Sequence, residues 1–194
     1  MAQAIPDFVG NQYSRGTPEN EVHRYQYGFS SHTDRVNPAL IAYPRDVSDV
    51  TKAILFAKRH GIAVALRTGG HQYSAASSTI GDNIQLDLSN TFLELEDQGN
   101  ARVRVGISFS LSKFNRKLGK LGYFVPHGQC CHVHVGGHAQ TGGYGQLGRS
   151  FGLFGDHIVE IHFVDANGAA NPAGCAPSSS SSRSSAEALA TSQY

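Results

Sequence analysis

A glycine-rich stretch between Pro126 and Asp156 constrains this chain more than any other feature. Its 31 residues contain nine glycines, four histidines and a pair of adjacent cysteines. Glycine costs backbone entropy, and it is favoured where the main chain takes a positive φ or approaches a ligand closely. We therefore expect the stretch to form a binding site that carries nucleophilic or metal-binding side chains, and we do not expect it to pack a core.

The composition is that of an ordinary globular protein, with room for one domain or for two small ones that share a core. Of the 194 residues 40% are hydrophobic and 16% are charged, and the net charge is +1. This balance gives no reason to expect nucleic acid or an anionic membrane as a partner, and a small-molecule substrate is the expected one. No apolar segment approaches the ~18 residues of a membrane span.

The N-terminal sequence MAQAIPDFVG has neither a basic start nor an apolar run, so a secretory signal is not predicted. Three cysteines, two of them adjacent, do not make a disulfide framework. The compartment is therefore unknown from the sequence, with the cytoplasm as the default.

Short strands alternate with two amphipathic helices between residues 37 and 168. The first helix is predicted from the spacing of Val47, Val50 and Ile54, with Asp46 or Ser48 as its cap and Gly61 at its end. The second follows Ser108 or Ser110 and ends near Gly122. Strands are predicted at 39–43, 62–66, 83–88 (half-buried), 101–109 and 157–164. Few helices and alternating strands favour an α+β fold over a doubly wound one.

Both ends of the chain are expected to be irregular. Residues 1–36 show no sustained period and are predicted to form an arm. Asn167-Gly168 predicts a type I′ hairpin turn, in which two residues take a positive φ. The segment after it contains eight serines, seven alanines and one large aliphatic residue. Residues 169–194 are therefore expected to be a disordered tail, and the hairpin to lack its second strand.

Residues Gly143–Gly148 match the G-x-G-x-x-G pattern of dinucleotide-binding folds. That fingerprint needs a strand before it and a helix after it. The preceding residues are too polar and glycine-rich for a buried strand, and Gly152 and Gly155 interrupt the segment that follows. The Rossmann interpretation is therefore rejected.

Five residues of this stretch are of the types that bind zinc: Cys130, Cys131, His132, His134 and His138. Structural zinc sites, however, use spaced ligand pairs, and adjacent cysteines cannot easily point at one metal, so no metal is predicted. The chain also lacks the nucleophile-elbow and zinc-protease motifs that would indicate a hydrolase.

Two glycine turns remain, at 67–74 and 136–145, and each carries a histidine. Successive backbone N–H groups in such turns form anion-binding concavities that suit a pyrophosphate. Both turns contain motifs that resemble those of the FAD-linked oxidases in the vanillyl-alcohol oxidase/PCMH superfamily, most closely the berberine-bridge-enzyme-like branch with its oligosaccharide and reticuline oxidases. The ordered motifs are Tyr43-Pro44, Arg67-Thr68-Gly69-Gly70-His71-Gln72-Tyr73-Ser74, Gly128-Gln129-Cys130, Val135-Gly136-Gly137-His138, Gly142-Gly143-Tyr144-Gly145, Leu147-Gly148-Arg149, Gly152-Leu153 and Asp156.

The resemblance covers residues 37–168. It implies a two-subdomain PCMH-type FAD-binding domain, with subdomains at about 37–90 and 101–168, incomplete at its C-terminal end. It also implies that the first turn wraps the pyrophosphate of FAD and that His71 bonds to the flavin 8α-methyl. Cys130 stands where bicovalent members carry the cysteine joined to flavin C6, and His138 matches the histidine near the ribityl and pyrimidine end. The cofactor-binding residues so implied are Arg67, Thr68, Gly69, Gly70, His71, Gln72, Tyr73, Ser74, Cys130, Val135, Gly136, Gly137, His138, Gly142, Gly143, Gly145 and Asp156.

The implied function is that of an FAD-binding module in a covalent-flavin oxidoreductase. Such enzymes act on CH–OH or C–N groups of alcohols, sugars or alkaloid-like molecules, with O₂ as acceptor. The family's substrate domain and its catalytic tyrosine or acidic base have no counterpart here, so no catalytic residue is named and activity of this chain is left open. The alternative is a catalytically inactive fragment from a frame-shifted or mis-spliced gene. Family members often carry Pro and Gly where this chain has Cys131 and His134.

Overall fold

The structure is a computed structural model that describes residues 4–27, 36–174 and 185–189. Its elements in chain order are β1 (Asn11–Ser14), α1 (Pro18–His23), β2 (Leu40–Tyr43), α2 (Val47–His60), β3 (Val64–Arg67), β4 (Ile84–Asp87), β5 (Leu95–Gly99), β6 (Arg102–Val105), α3 (Leu111–Lys120), α4 (Val135–Gln140), α5 (Gly148–Phe151), a 3₁₀ turn (Phe154–His157), β7 (Ile158–Val164), β8 (Ala170–Gly174) and β9 (Ser185–Leu189). None of the helices described has the length and apolar character needed to span a bilayer.

These elements divide between two compact units. Among the described residues, the first unit comprises 4–27, 36–91 and 164–170, and the second comprises 92–163, 171–174 and 185–189. The sequence predicted subdomains at about 37–90 and 101–168, and the boundary after Thr91 lies at the end of the first of them.

The first unit is built on a four-stranded sheet in the order β1-β2-β4-β3. The two neighbours of β4 run parallel to it, and β1 adds an antiparallel edge. The sequence predicted that β4 exposes its polar face. This is wrong, since all four residues of the strand are buried. Gln85 and Asp87 are covered because Ser78 Oγ lies 2.5 Å from the Gln85 amide and Arg67 Nε lies 2.5 Å from Asp87 Oδ2.

Residues 11–23 form regular structure where the sequence predicted an irregular arm. β1 pairs with β2, and α1 begins at Pro18 after the Thr17 cap, where the missing proline N–H is not needed. The ring of Tyr13 stacks on that of His23 at a centroid distance of 4.7 Å. The strand and the helix have only four and six residues, too few to show a period in the sequence.

The two longer helices are confirmed. α2 is capped by Asp46, whose side chain accepts from Asp49 N, and it ends at Gly61 with a φ of 63°. α3 is capped by Ser110 rather than Ser108. Each helix buries one face. In α2 this face contains Val50, Ala53 and Phe56. In α3 it contains Leu111, Phe114 and Leu118.

The turn after β7 differs from the predicted type I′ geometry. Gly168 takes a φ of 77°, whereas Asn167 keeps an ordinary negative φ. Gly168 N donates to Asp165 O and Asp165 N donates to Ala169 O, each at 2.9 Å. This is a three-residue hairpin loop with glycine in the left-handed position. The same turn contacts α2, since Thr51 Oγ1 donates to Gly168 O at 3.0 Å, so it belongs to the first unit rather than to the second subdomain.

The second strand of that hairpin is present. β8 lies next to β7 at the edge of a five-stranded sheet in the order β5-β6-β9-β7-β8. β9 runs parallel to both of its neighbours. The prediction of a tail without structure from residue 169 onward therefore does not hold for these two strands, because strand pairing uses backbone groups that small residues also supply. The rest of the predicted tail lies outside the described residues.

The second unit has its own hydrophobic core beneath this sheet. α3 contributes three of its members and the glycine-rich stretch contributes two. The buried residues are Val103, Val105, Phe109, Leu111, Phe114, Leu118, Val125, Val135, Phe154 and Ile158.

A buried carboxylate holds the first unit together near α2. Asp49 is fully buried and accepts from the backbone N–H groups of Val9 (2.9 Å), Gly10 (2.9 Å) and Arg45 (3.0 Å). Burial opposes its ionisation, but these hydrogen bonds outweigh that effect and hold the pKa of Asp49 below its ordinary 3.8. The stability it contributes is therefore present above pH 3.8 and is lost as the pH falls through the folded-state pKa.

Replacing Asp49 by asparagine should lower the free energy of unfolding by about 1–3 kcal/mol, since an amide offers one acceptor oxygen to three backbone donors. Urea denaturation at neutral pH measures this. Asp82→Asn is the matched control. The Asp82 side chain is 92% exposed, and its ion pair with Arg15 is long, with 3.6 Å between Oδ1 and Nη1. Equal losses in the two variants would contradict the assignment.

Candidate functional site

The first candidate site is the turn that follows β3 in the first unit. Gly70 takes a φ of 66°, and a Cβ there would lie 3.2 Å from the Cβ of Gln26, so a larger residue is strained at this position. His71 comes next and is half-buried. Of the other turn residues predicted to bind a cofactor, Thr68 and Gly69 are half-buried, and Gln72, Tyr73 and Ser74 are exposed.

Arg67 supports this turn from the interior. Its guanidinium is buried and bonds Asp87 through Nε, while its other nitrogens donate to the carbonyl oxygens of Tyr25 (3.0 Å) and His23. Burial and the Asp87 charge raise the pKa of Tyr43, at the edge of the same network, to about 12. Arg67 was predicted as a cofactor contact, but its donors hold the N-terminal segment against β3.

Two residues that lie against this turn, Tyr27 and Gln26, were not predicted from the sequence. The Tyr27 ring lies 4.6 Å from the His71 ring, tilted by 36°. Gln26 bonds Ser77 through Oε1, and its buried Nε2 has no hydrogen-bond partner among the residues that the structure describes. The only signal in the sequence is the aromatic cluster Tyr25, Tyr27 and Phe29, and nothing in it indicates contact with the turn.

The second candidate site is the glycine-rich stretch, which lies wholly in the second unit. A helix, α4, precedes Gly143 where a dinucleotide-binding motif would have a strand. The helix that follows, α5, has four residues. Both observations agree with the rejection of the Rossmann interpretation.

Several glycines of this stretch are required by contacts of the chain with itself. A Cβ at these positions would approach another atom far more closely than side chains do. The separations would be 2.7 Å from Gly136 to Ile107 Cβ, 2.3 Å from Gly143 to Phe154 Cβ and 2.1 Å from Gly145 to the His127 carbonyl oxygen. The expectation that glycine is not needed here for packing is wrong at these positions. Gly137 differs, because it is exposed and nothing lies within 4 Å of where its Cβ would be.

The first backbone N–H groups of α4 donate hydrogen bonds to another segment of the chain. Val135 N donates to Phe109 O and Gly136 N to Ile107 O, each at 2.8 Å. The side chain of Val135 is fully buried in the hydrophobic core. These two predicted cofactor residues therefore fix the stretch against the segment before α3.

His138 is held by Gly128. Gly128 N donates to His138 Nε2 at 2.9 Å, which places the ring proton of His138 on Nδ1, and Gly128 O lies 2.7 Å from His127 Nδ1. Burial lowers the pKa of His138 below its ordinary 6.5, and the nearby His127 acts in the same direction. The neutral ring braces the segment that leads to Cys130.

Cys130 and Cys131 are exposed and not disulfide-bonded. Val133 N donates to Cys130 O at 3.1 Å and closes a turn around them. The first N–H groups of α3, which have no partner within the helix, bind this turn, since Ser112 N donates to Cys131 O at 3.2 Å and Leu111 N to Val133 O at 2.8 Å. The helix thus fixes the backbone of the cysteine pair.

Asp156 has a local structural role. Its Oδ2 accepts from Leu153 N at 2.9 Å, across the start of the 3₁₀ turn. Gly152 lies against it with a φ of 82°. In the described part of the chain no three histidine, cysteine or carboxylate side chains are grouped so that they could hold a metal ion.

The adjacent pair Gly136 and Gly137 provides a test of the packing requirement. Gly136→Ala should lower the free energy of unfolding by about 1–3 kcal/mol, because its Cβ meets Ile107. Gly137→Ala is its control and should be neutral or stabilising by up to ~1 kcal/mol, since alanine favours the helix. Thermal or urea denaturation of the FAD-free protein compares them, and a loss of the same size in both variants would refute the packing argument.

Lowering the pH should destabilise the protein through His138. The pKa of His138 is lower in the folded protein than in the unfolded chain, so the unfolded chain binds a proton at this residue more readily. The contribution of the neutral His138 ring to stability is therefore intact above pH 6.5 and is lost as the pH falls below 6.5. His138→Gln should flatten the dependence of the unfolding free energy on pH as the pH falls below 6.5. An unaltered slope in His138→Gln would exclude this role.

Comparison with known proteins identifies the family. The model of the FAD binding domain family matches residues 38–171. Berberine bridge enzyme-like 18 of Arabidopsis thaliana is 38% identical over 138 residues, which are 70% of this chain and 26% of that protein. The FAD-linked oxidoreductase dpmaF of Metarhizium anisopliae is 32% identical over 161 residues, 80% of this chain and 30% of that protein.

Solved structures show the same relationship. BBE-like 1 of Physcomitrella patens superposes with a TM-score of 0.78 and 30% identity, over 86% of this chain and 36% of that one. A variant of the grass pollen allergen Phl p 4, described as a glucose oxidase, gives a TM-score of 0.75 and 28% identity over 83% and 34%. The chain thus spans between 26% and 36% of the length of these four proteins. It belongs to the FAD binding domain family, and it is an α+β, PCMH-type FAD-binding domain of the berberine-bridge-enzyme-like oxidoreductases.

Proposed function

We propose that this domain holds its FAD covalently through His71, with Cys130 as a second attachment point. The observation that carries the proposal is the placement of His71, half-buried in a turn whose first residue is locked by the buried Arg67–Asp87 pair. Imidazole nitrogen and cysteine sulfur are among the nucleophiles that proteins use to form covalent intermediates. When bound, FAD supplies the hydride-accepting chemistry, which the protein only positions.

The residues of the first turn suit a nucleotide cofactor. Gln26 Nε2 is a buried donor that the described part of the chain leaves without a partner, and Gly70 lies directly beside its side chain. Thr68 and Gly69 are small and only half-buried, so a ligand can approach their backbone. In the second unit, Gly137 offers exposed backbone with nothing near its Cβ position. These residues would bind and orient the FAD.

We further infer that the protein oxidises an alcohol, a sugar or an alkaloid-like small molecule and passes electrons to O₂. Two Phl p 4 variants, each 28% identical to this chain, are described as a glucose oxidase and as a glucose dehydrogenase. Both names indicate oxidation of a CH–OH group, and the first is the basis for O₂ as the acceptor. His71 and Cys130 are assigned to cofactor attachment, and neither is proposed as the base that removes the substrate proton.

Incubation of the purified chain with FAD, followed by denaturation, tests the attachment. Flavin should remain on the polypeptide in a denaturing gel, and peptide mass mapping should place it on His71 and Cys130. His71→Ala should lose the His71 linkage, while His132→Ala, which alters an exposed histidine, should keep it.

Cys130→Ser and Cys131→Ser form the second matched pair. Only the Cys130 variant should lose flavin from the peptide that contains the two cysteines. Release of all flavin from the parent protein on denaturation would refute covalent attachment, without bearing on reversible FAD binding.

A further inference from the structure

We propose that Cys130 and Cys131 form a redox-modification site, a vicinal dithiol that hydrogen peroxide converts into an intramolecular disulfide. In the disulfide, Cys130 has no free thiol and cannot bond to the flavin. This second statement rests on the proposed function, whereas the modification itself does not.

Accessibility and proximity support the site. Both side chains are exposed, and both thiols are free in the structure. They are neighbours in the chain, so once one sulfur is oxidised the other reaches it without any diffusion of segments. A reactive thiol that is solvent-accessible and placed beside a resolving cysteine is the usual arrangement in redox-sensing proteins.

The chemistry balances with one molecule of peroxide. In the first step one thiol becomes a sulfenic acid as the O–O bond breaks, and the second oxygen leaves as water. In the next step the neighbouring thiol attacks the sulfenic sulfur, the S–S bond forms, the S–O bond breaks and a second water leaves. Two thiols lose two protons and two electrons in all, and the peroxide takes them up to form two waters. An oxidase that reduces O₂ by two electrons produces this oxidant itself.

The geometry of adjacent cysteines makes such a disulfide easy to reverse. Consecutive Cα atoms are about 3.8 Å apart across a trans peptide, whereas disulfides usually join Cα atoms about 4.4–6.8 Å apart. Closing the ring must therefore twist the peptide between the two residues. Strain of this kind raises the reduction potential, which is typical of labile and regulatory disulfides rather than structural ones.

The surrounding hydrogen bonds oppose that twist. The carbonyl oxygens of Cys130 and Cys131 both accept hydrogen bonds, from Val133 N at 3.1 Å and from Ser112 N at 3.2 Å. The second donor belongs to the first turn of α3. Oxidation should therefore loosen the start of this helix as well as close the ring, which adds to the tendency of the disulfide to return to the dithiol.

Thiol titration and intact mass test the modification on the FAD-free protein. Cys175→Ser leaves only the pair, and both titratable thiols of this variant should disappear with one equivalent of peroxide. The mass should fall by two hydrogens, and dithiothreitol should restore both thiols. Adding Cys131→Ser should replace this product by a sulfenic acid on Cys130, which dimedone traps.

Three results would overturn the modification site. They are dimedone labelling of the intact pair in place of ring closure, disulfide-linked dimers on a non-reducing gel as the main product, and thiols that survive a large excess of peroxide. Serine is close to cysteine in size and both positions are exposed, so the variants should fold; their urea denaturation midpoints are to be checked against the parent.

Peptide mapping after incubation with FAD tests the consequence for the flavin. Protein oxidised beforehand with diamide should carry flavin on His71 alone, whereas reduced protein should carry it on Cys130 as well. Cys131→Ser combined with Cys175→Ser leaves Cys130 without a second thiol in the chain, so it cannot close the ring and should keep both linkages after diamide. Flavin on Cys130 of the oxidised parent overturns the blocking role. Absence of covalent flavin from every sample counts against the proposed function, and the titration still decides the modification site.

Discussion

The first unit depends on the buried ion pair between Arg67 and Asp87. Removing two charges from water costs several kcal/mol per ion, and the pair is tolerated only where further hydrogen bonds satisfy both groups. Those bonds are present, since Asp87 also accepts from Ser89 N at 3.0 Å and Arg67 donates to three backbone carbonyls of the N-terminal segment. The carboxyl ends of β3 and β4 and the residues after α1 are thereby joined at one point. The turn that contains His71 begins at that point, so its position follows from the ion pair.

Glycine has two different roles in this protein. At Gly70 and Gly168 the backbone takes a positive φ, which is strained for other residues. In the glycine-rich stretch, Gly136 and Gly145 are needed because another part of the chain occupies the space of a side chain. The density of glycine therefore reflects close packing of short irregular segments as much as the approach of a ligand. Gly137, exposed beside the packed Gly136, has neither role, since its φ is not positive and nothing lies within 4 Å of its Cβ position.

The sequence predicted the features that arise from local chemistry. The cap and end of α2, the alternation of β6 and the mixed fold class all follow from neighbouring residues. The buried polar face of β4 was missed, because Gln85 and Asp87 are covered by partners that lie elsewhere in the sequence. The same holds for β1, whose pairing with β2 depends on contacts across the intervening segment, and for β8, whose alanines gave no propensity signal. For the candidate site, the motifs indicated His71 and Cys130, but the roles of Arg67 and Gln26 depend on tertiary contacts that no local pattern reports.

The attachment of the β7–β8 turn to α2 has a consequence for how the chain acquires its structure. Thr51 and Lys58 of α2 bond Gly168 O and Asn167 Oδ1, at 3.0 and 2.7 Å. The first unit is therefore discontinuous in sequence, with the whole of residues 92–163 inserted between its parts. Contacts of such long sequence separation form late, since the loop that joins them must first be closed. During synthesis from the N-terminus, the ribosome would release the sheet and α2 well before the turn that completes them, and residues 92–163 of the second unit would emerge in the interval.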